Sequence, residues 1–112
     1  MDLKTATSLL DAAVAKSSSM SKAMNIAICD AGGHLIAFRR MDGAWLGSID
    51  IAIKKAKTSA LFGGLDTMTF GELVRQMNLQ GIEQTTGGLV TFGGGVSVSS
   101  GGKIVGAIGV SG

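Results

Sequence analysis

The sequence predicts an α+β fold in which helices pack on an antiparallel sheet. Three observations lead there. An amphipathic run opens the chain, and two strand-like runs joined by a Gly-Gly turn follow it. After a helical middle, the last quarter alternates short apolar runs with glycine.

Leu3, Ala6, Leu10, Ala13, Val14 and Ser17 recur at helical spacing, and Asp2 stands where a cap would stand. This first helix ends in the Ser17-Ser18-Ser19 run. Asn25 to Cys29 reads as a strand with Ile26 and Ile28 on one face and Ala27 and Cys29 on the other. Both faces are apolar, so the strand belongs in the interior of the sheet. Asp30-Ala31-Gly32-Gly33 is a turn signal, and His34 to Arg40 returns as the second strand of a hairpin.

Leu46, Ile49, Ile53, Ala56 and Ala60 form a stripe with three- and four-residue steps, which predicts a second helix. Lys54, Lys55 and Lys57 fall largely off that stripe and read as a solvated face. Thr69-Phe70-Gly71-Glu72 has the form of a capping box, with Phe70, Leu73, Val74 and Met77 as a short apolar face behind it. A third, shorter helix follows from this.

From Gly87 onward the character changes. Ten of the 18 glycines fall in the last 26 residues, where Lys103 carries the only charge. Leu89 to Phe92, Val96 to Ser99 and Ile104 to Val110 read as three strands, and Ser100-Gly101-Gly102 as the turn between the last two. Ile104, Ile108 and Val110 are expected on one face with Gly106. Val105, Ala107 and Gly109 make a smoother opposite face, fit for a close helix, a partner subunit or a planar ligand.

The 112 residues make one domain, at a size where oligomerisation often helps stability. There is no proline, four Phe, one Trp and no Tyr, so the core has little bulk. A formal charge of +2 gives no electrostatic case for nucleic acid or an acidic membrane. No segment approaches the roughly 20 apolar residues that span a bilayer, and the N-terminus lacks the pattern of a secretory signal. The single cysteine excludes an internal disulfide and suits a reducing cytoplasm, which is the expected location.

Polar chemistry is concentrated between Cys29 and Ala44, which holds the only histidine and the only cysteine. With a two- or four-residue loop, Cys29 and His34 would share one face of the hairpin as near neighbours. A thiolate and an imidazole so placed could ligate a soft metal or haem iron. A three-residue loop would reverse the parity. The plainer readings are a small buried hydrophobe for Cys29 and a polar turn residue for His34. Adjacent strand residues point to opposite faces, so one of Arg39 and Arg40 should reach the pocket side. There it could hold a carboxylate or a haem propionate, unless an arginine merely pairs with Asp42 to pin the loop.

Two ligands are too few for a closed zinc site, and no resident metal is expected. The run Gly93-Gly94-Gly95 opens into a strand with no Lys-Ser/Thr after it, which excludes a phosphate loop. The serines near the end have no well-oriented base, so a Ser-His-Asp hydrolase is not supported. No catalytic set is assigned.

The run Asp30 to Leu35, then Arg40-Met41-Asp42-Gly43-Ala44 and Ser48-Ile49-Asp50-Ile51-Ala52 with Lys55-Ala56, resembles the GlcG/HbpS-like (DUF336) family. Phe92-Gly93-Gly94-Gly95-Val96 and Val105 to Gly112 resemble its C-terminal signature. The resemblance covers nearly the whole chain, taken as one domain over 1–112. It implies a profilin-like sandwich and symmetric homo-oligomers. In some members it implies haem or tetrapyrrole binding, or a place beside glycolate, diol, glycerol or cobalamin metabolism. On that basis His34, Cys29, Arg40 and Asp42 are the cofactor-binding candidates, and haem is the cofactor. Two other functions stand beside it. One is an enzyme on a small carboxylate or hydroxy metabolite, with Arg40 binding and His34 or Asp42 moving protons. The other is a structural accessory subunit. Members also continue past Gly-Val-Ser-Gly into a further helix and carry prolines before the Gly87-Gly88 pair. This chain stops at Gly112, so either a longer form or a neighbouring subunit is expected to cover the exposed strand face.

Overall fold

Asp2 opens helix α1 (Leu3–Ser19) as expected, its carboxylate accepting the Thr5 N–H at 2.8 Å. The structure, a computed structural model, describes all 112 residues. Strands β1 (Asn25–Asp30) and β2 (Leu35–Arg40) form the first hairpin. Helices α2 (Ser48–Leu61) and α3 (Thr67–Gln76) follow, then a single 3-10 turn at Ile82–Gln84. Strands β3 (Gly95–Ser100) and β4 (Lys103–Ser111) close the chain.

The four strands make one antiparallel sheet in the order β2-β1-β4-β3. β1 is interior, as its two apolar faces require. On one face α1 packs Ala6 and Leu10 against Ile26 and Ile28, with Ile36, Ile108 and Val110 joining. Each fully buried Leu or Ile there contributes roughly 1.5–3 kcal/mol. The other face carries Ala27, Cys29 and Ala107, and α2 lays Ala52, Ala56 and Ala60 on it. Small side chains let this helix lie close. A methyl at Gly109 would stand 2.0 Å from the Ala52 carbonyl oxygen.

Three expectations change. Leu89 to Phe92 joins no sheet. Leu89 is buried against Phe70 and Val74, and Val90 donates its N–H to Thr58 Oγ1 at 2.9 Å. Side chains from the helices take the bonds a strand neighbour would have taken. The α3 cap lies earlier than the predicted box: Asp66 accepts the Thr69 N–H at 2.8 Å. Gly71 sits inside that helix because a methyl there would stand 1.9 Å from the Thr91 carbonyl oxygen. The third change is a bulge, where Val98 pairs with Gly106 and Ser99 with Ile104, so Val105 is the extra residue. It turns Ile104 onto the α2 side, beside Gly64, rather than onto the face of Ile108 and Val110.

Candidate functional site

The first hairpin closes through a three-residue loop. Asp30 donates its N–H to the His34 carbonyl at 2.9 Å, leaving Ala31, Gly32 and Gly33 between them. Gly33 takes φ +80°, which only glycine adopts without strain. The Asp30 carboxylate accepts the N–H groups of Gly32 and His34, both at 2.9 Å. Those bonds, His34 first, hold its carboxyl below the usual carboxylate range.

This loop length decides the parity against the shared face. Cys29 pairs with Leu35, and His34 falls opposite Asp30, on the other side of the strand. Cys29 is 1% exposed within the alanine layer under α2. Burial pushes its thiol up to about 11, so at neutral pH it holds its proton. The His34 side chain is 83% exposed, its Nδ1 3.4 Å from Asp30 Oδ1. The Cys29–His34 pair expected from a two- or four-residue loop is not formed.

Arg40 and Asp42 lie at the far end of the hairpin. Six strand residues, roughly 20 Å of extended chain, separate His34 from the loop that follows Arg40. Arg39 bonds Asp11 on α1 at 2.8 Å, so the arginine–aspartate pin runs to the helix and not to Asp42. Both arginines border one open groove of about 400 Å³, together with Val14, Met41 and Asp42. The expectation that only one of them reaches a pocket is corrected, because both line this groove where β2 ends beside α1.

A second groove, of about 370 Å³, lies at the His34 end. Met1, Ala31, Ile104 and Val105 supply an apolar lining, Gly32 a bare backbone, and Asp30 and Lys103 the charges. His34 is outside this lining; its imidazole lies next to it, 3.0 Å from where a Gly32 side chain would begin. Lys103 and Met1 were missed in the sequence because only the sheet brings the two hairpin ends and the N-terminus together. No three His, Cys, Asp or Glu residues lie close enough to hold a metal.

The lysines of α2 are not all solvated. Lys55 is 5% exposed, donates from Nζ to the Val110 carbonyl at 2.9 Å and lies 5.1 Å over the Phe92 ring. Burial lowers its pKa from the ordinary lysine value. Ser48, Ala52, Lys55 and Ser59 are all buried at four- and three-residue steps, and that second stripe is the signal that places the lysine inward.

The family described as "Haem degrading protein HbpS-like" matches residues 1–112. The chain belongs to the HbpS-like family. An uncharacterised 15.0 kDa protein of Citrobacter freundii, from the dhaT-dhaS intergenic region, is 34% identical over 112 residues. The match covers 98% of this chain and 78% of the relative. Protein GlcG of Escherichia coli K12 is 39% identical over 88 residues, 79% of this chain and 63% of GlcG. A crystal structure described as a PduOC:heme complex superposes with a TM-score of 0.90 at 31% identity, covering 100% of this chain and 82% of the other. The α+β fold is thus shared with a protein whose structure holds haem. No helix of this chain is long and apolar enough to cross a membrane.

Proposed function

We propose that this protein binds haem or a related tetrapyrrole in the groove beside His34, working as an assembly of identical copies in the cytoplasm. The observation that carries the site is an exposed imidazole beside Gly32, a lining residue of an apolar groove that also holds an ammonium group. Those residue types fit the group. Val105 and Met1 would lie against the ring, Lys103 would pair with a propionate, and His34 would offer a nitrogen to iron. Bound haem would supply redox chemistry at its iron. The contact with Asp30 orients the imidazole, and the hairpin loop keeps it in solvent reach. Cys29 fits poorly, being a protonated thiol closed off under α2. The haem-degrading description of the family and the haem complex of the PduOC neighbour support the reading.

Haem titration tests it. A Soret shift that saturates at one haem per chain is expected, weakened at least tenfold in affinity by His34→Ala and less by Lys103→Gln. Absence of any spectral change at stoichiometric haem overturns it.

One observation favours a second reading. Arg40 has no ion-pair partner and borders the groove with Met41, Val14 and Asp42. There a small carboxylate could bind, with Asp42 beside it to take or give a proton. Calorimetric binding of small acids without haem, lost in Arg40→Ala, would favour this reading. A structural accessory role is favoured if neither ligand binds.

A further inference from the structure

The sheet has two edges, and they differ. β2 ends in Arg39 and Arg40 and carries α1 over its face, with Arg39 tied to Asp11. Charges of this kind guard an edge against pairing with another chain. β3 has no such guard. Its residues are Gly-Val-Ser-Val-Ser-Ser, and no charge occurs between Glu83 and Lys103.

The register says which peptide groups of β3 are free. Val110 donates its N–H to the Gly94 carbonyl at 2.9 Å, so the even-numbered residues face β4. Gly95 turns the other way and donates its N–H to Thr67 Oγ1 at 2.9 Å. Ser97 and Ser99 therefore turn their N–H and C=O groups outward, where no strand meets them. Val96 is 49% exposed on this edge, and Phe92 and Met68 leave further apolar surface nearby.

We infer that β3 is an assembly edge that pairs antiparallel with β3 of a second copy, about a two-fold axis at Val98. This deepens the assembly of copies proposed above and needs no haem. The spacing is self-complementary. Placing Ser97 opposite Ser99 of the partner subunit satisfies four outward N–H groups and four outward C=O groups with four backbone hydrogen bonds. The axis then falls on Val98, whose side chain meets Val98 of the partner subunit on the face that α2 does not cover. An uncharged strand brings no like-charge repulsion to a two-fold axis, where every residue meets its own kind or a near neighbour. A continuous eight-stranded sheet results. A heterologous peptide could use the same bonds, but a second copy matches them with no further requirement.

The test is the solution mass of the full chain without haem, by analytical ultracentrifugation. The native protein is expected to sediment as a dimer or an even multiple of one. Val98→Lys and Val98→Glu, each alone, place like charges face to face and should at least halve that mass. Mixing the two should restore it through a lysine–glutamate pair. Ser8→Lys, on the exposed side of α1, should change nothing. A native monomer overturns both the edge and the assembly. A native oligomer whose mass Val98→Lys leaves intact, with circular dichroism showing a folded chain, overturns the edge alone. Haem binding with either mass leaves the ligand reading standing.

Discussion

The first hairpin and the α2–β4 contact make opposite uses of polar and small residues. The hairpin gathers the histidine, the two adjacent arginines and two aspartates, yet most of them lie in solvent and at opposite ends of β2. The α2–β4 contact looks bland in the sequence, but it buries an ammonium and brings a helix backbone against a strand glycine. Polar density along a chain marks solvent exposure as readily as it marks a site. Close packing is marked by the absence of side-chain bulk. The difference predicts that added bulk in the bland region should cost the most stability, while loss of the exposed His34 side chain in the conspicuous region should change binding and leave stability nearly alone.

Gly109→Ala should have the largest effect. Its methyl would stand 2.0 Å from the Ala52 carbonyl, so α2 must lift from the sheet. A loss of about 3 kcal/mol in urea unfolding is expected, the upper range for overpacking. A loss below about 1 kcal/mol would show that the helix has room to move.

Asp30→Ala should cost about 1 kcal/mol near neutral pH, since it frees two loop N–H groups beside water. The folded-state pKa of Asp30 lies below its unfolded value. Its contribution is therefore complete above about pH 3.9 and fades as pH falls through the lower folded value. Acid unfolding of the variant should lack that part of the slope.

Lys55→Met should change stability at pH 7 by less than about 1 kcal/mol, because a lost bond to Val110 offsets a relieved desolvation. Its signature lies at alkaline pH. The folded pKa is below the ordinary 10.5, so the unfolded chain holds more protons between the two values and native stability rises across that window. The variant should lose this rise, and a profile identical to the native one would place the ammonium in water.

His34→Ala should alter stability least, within about 0.5 kcal/mol, because the side chain is exposed. A loss above about 1.5 kcal/mol in thermal unfolding would reverse the contrast and make His34 a structural residue.

Local pattern was enough to read the three helices, the interior position of β1, the hairpin and the smooth face that receives α2. Each depends on periodicity or on a cap within one segment. Leu89–Phe92 shows where that stops: it has a strand's composition, but Thr58 and the neighbouring helices take its backbone bonds before a sheet neighbour can. The family, too, was legible, since its glycine and aspartate positions follow backbone turns.

The candidate site was legible only in pieces. His34, Arg40 and Asp42 stand out by residue type, but one extra loop residue sends Cys29 inward and His34 outward. Strand length then separates His34 from Arg40. Lys103 and Met1 join His34 only because pairing of β4 with β1 brings those distant positions together. Composition and periodicity determined which segments are helix or strand and which faces are buried, because those follow from nearest-neighbour sterics and the removal of apolar surface from water. Which side chains meet was decided by tertiary structure alone, through strand register, the bulge at Val105 and the closeness of α2 to the sheet. A shift of one residue in register exchanges the two faces of a strand, and no local preference opposes it.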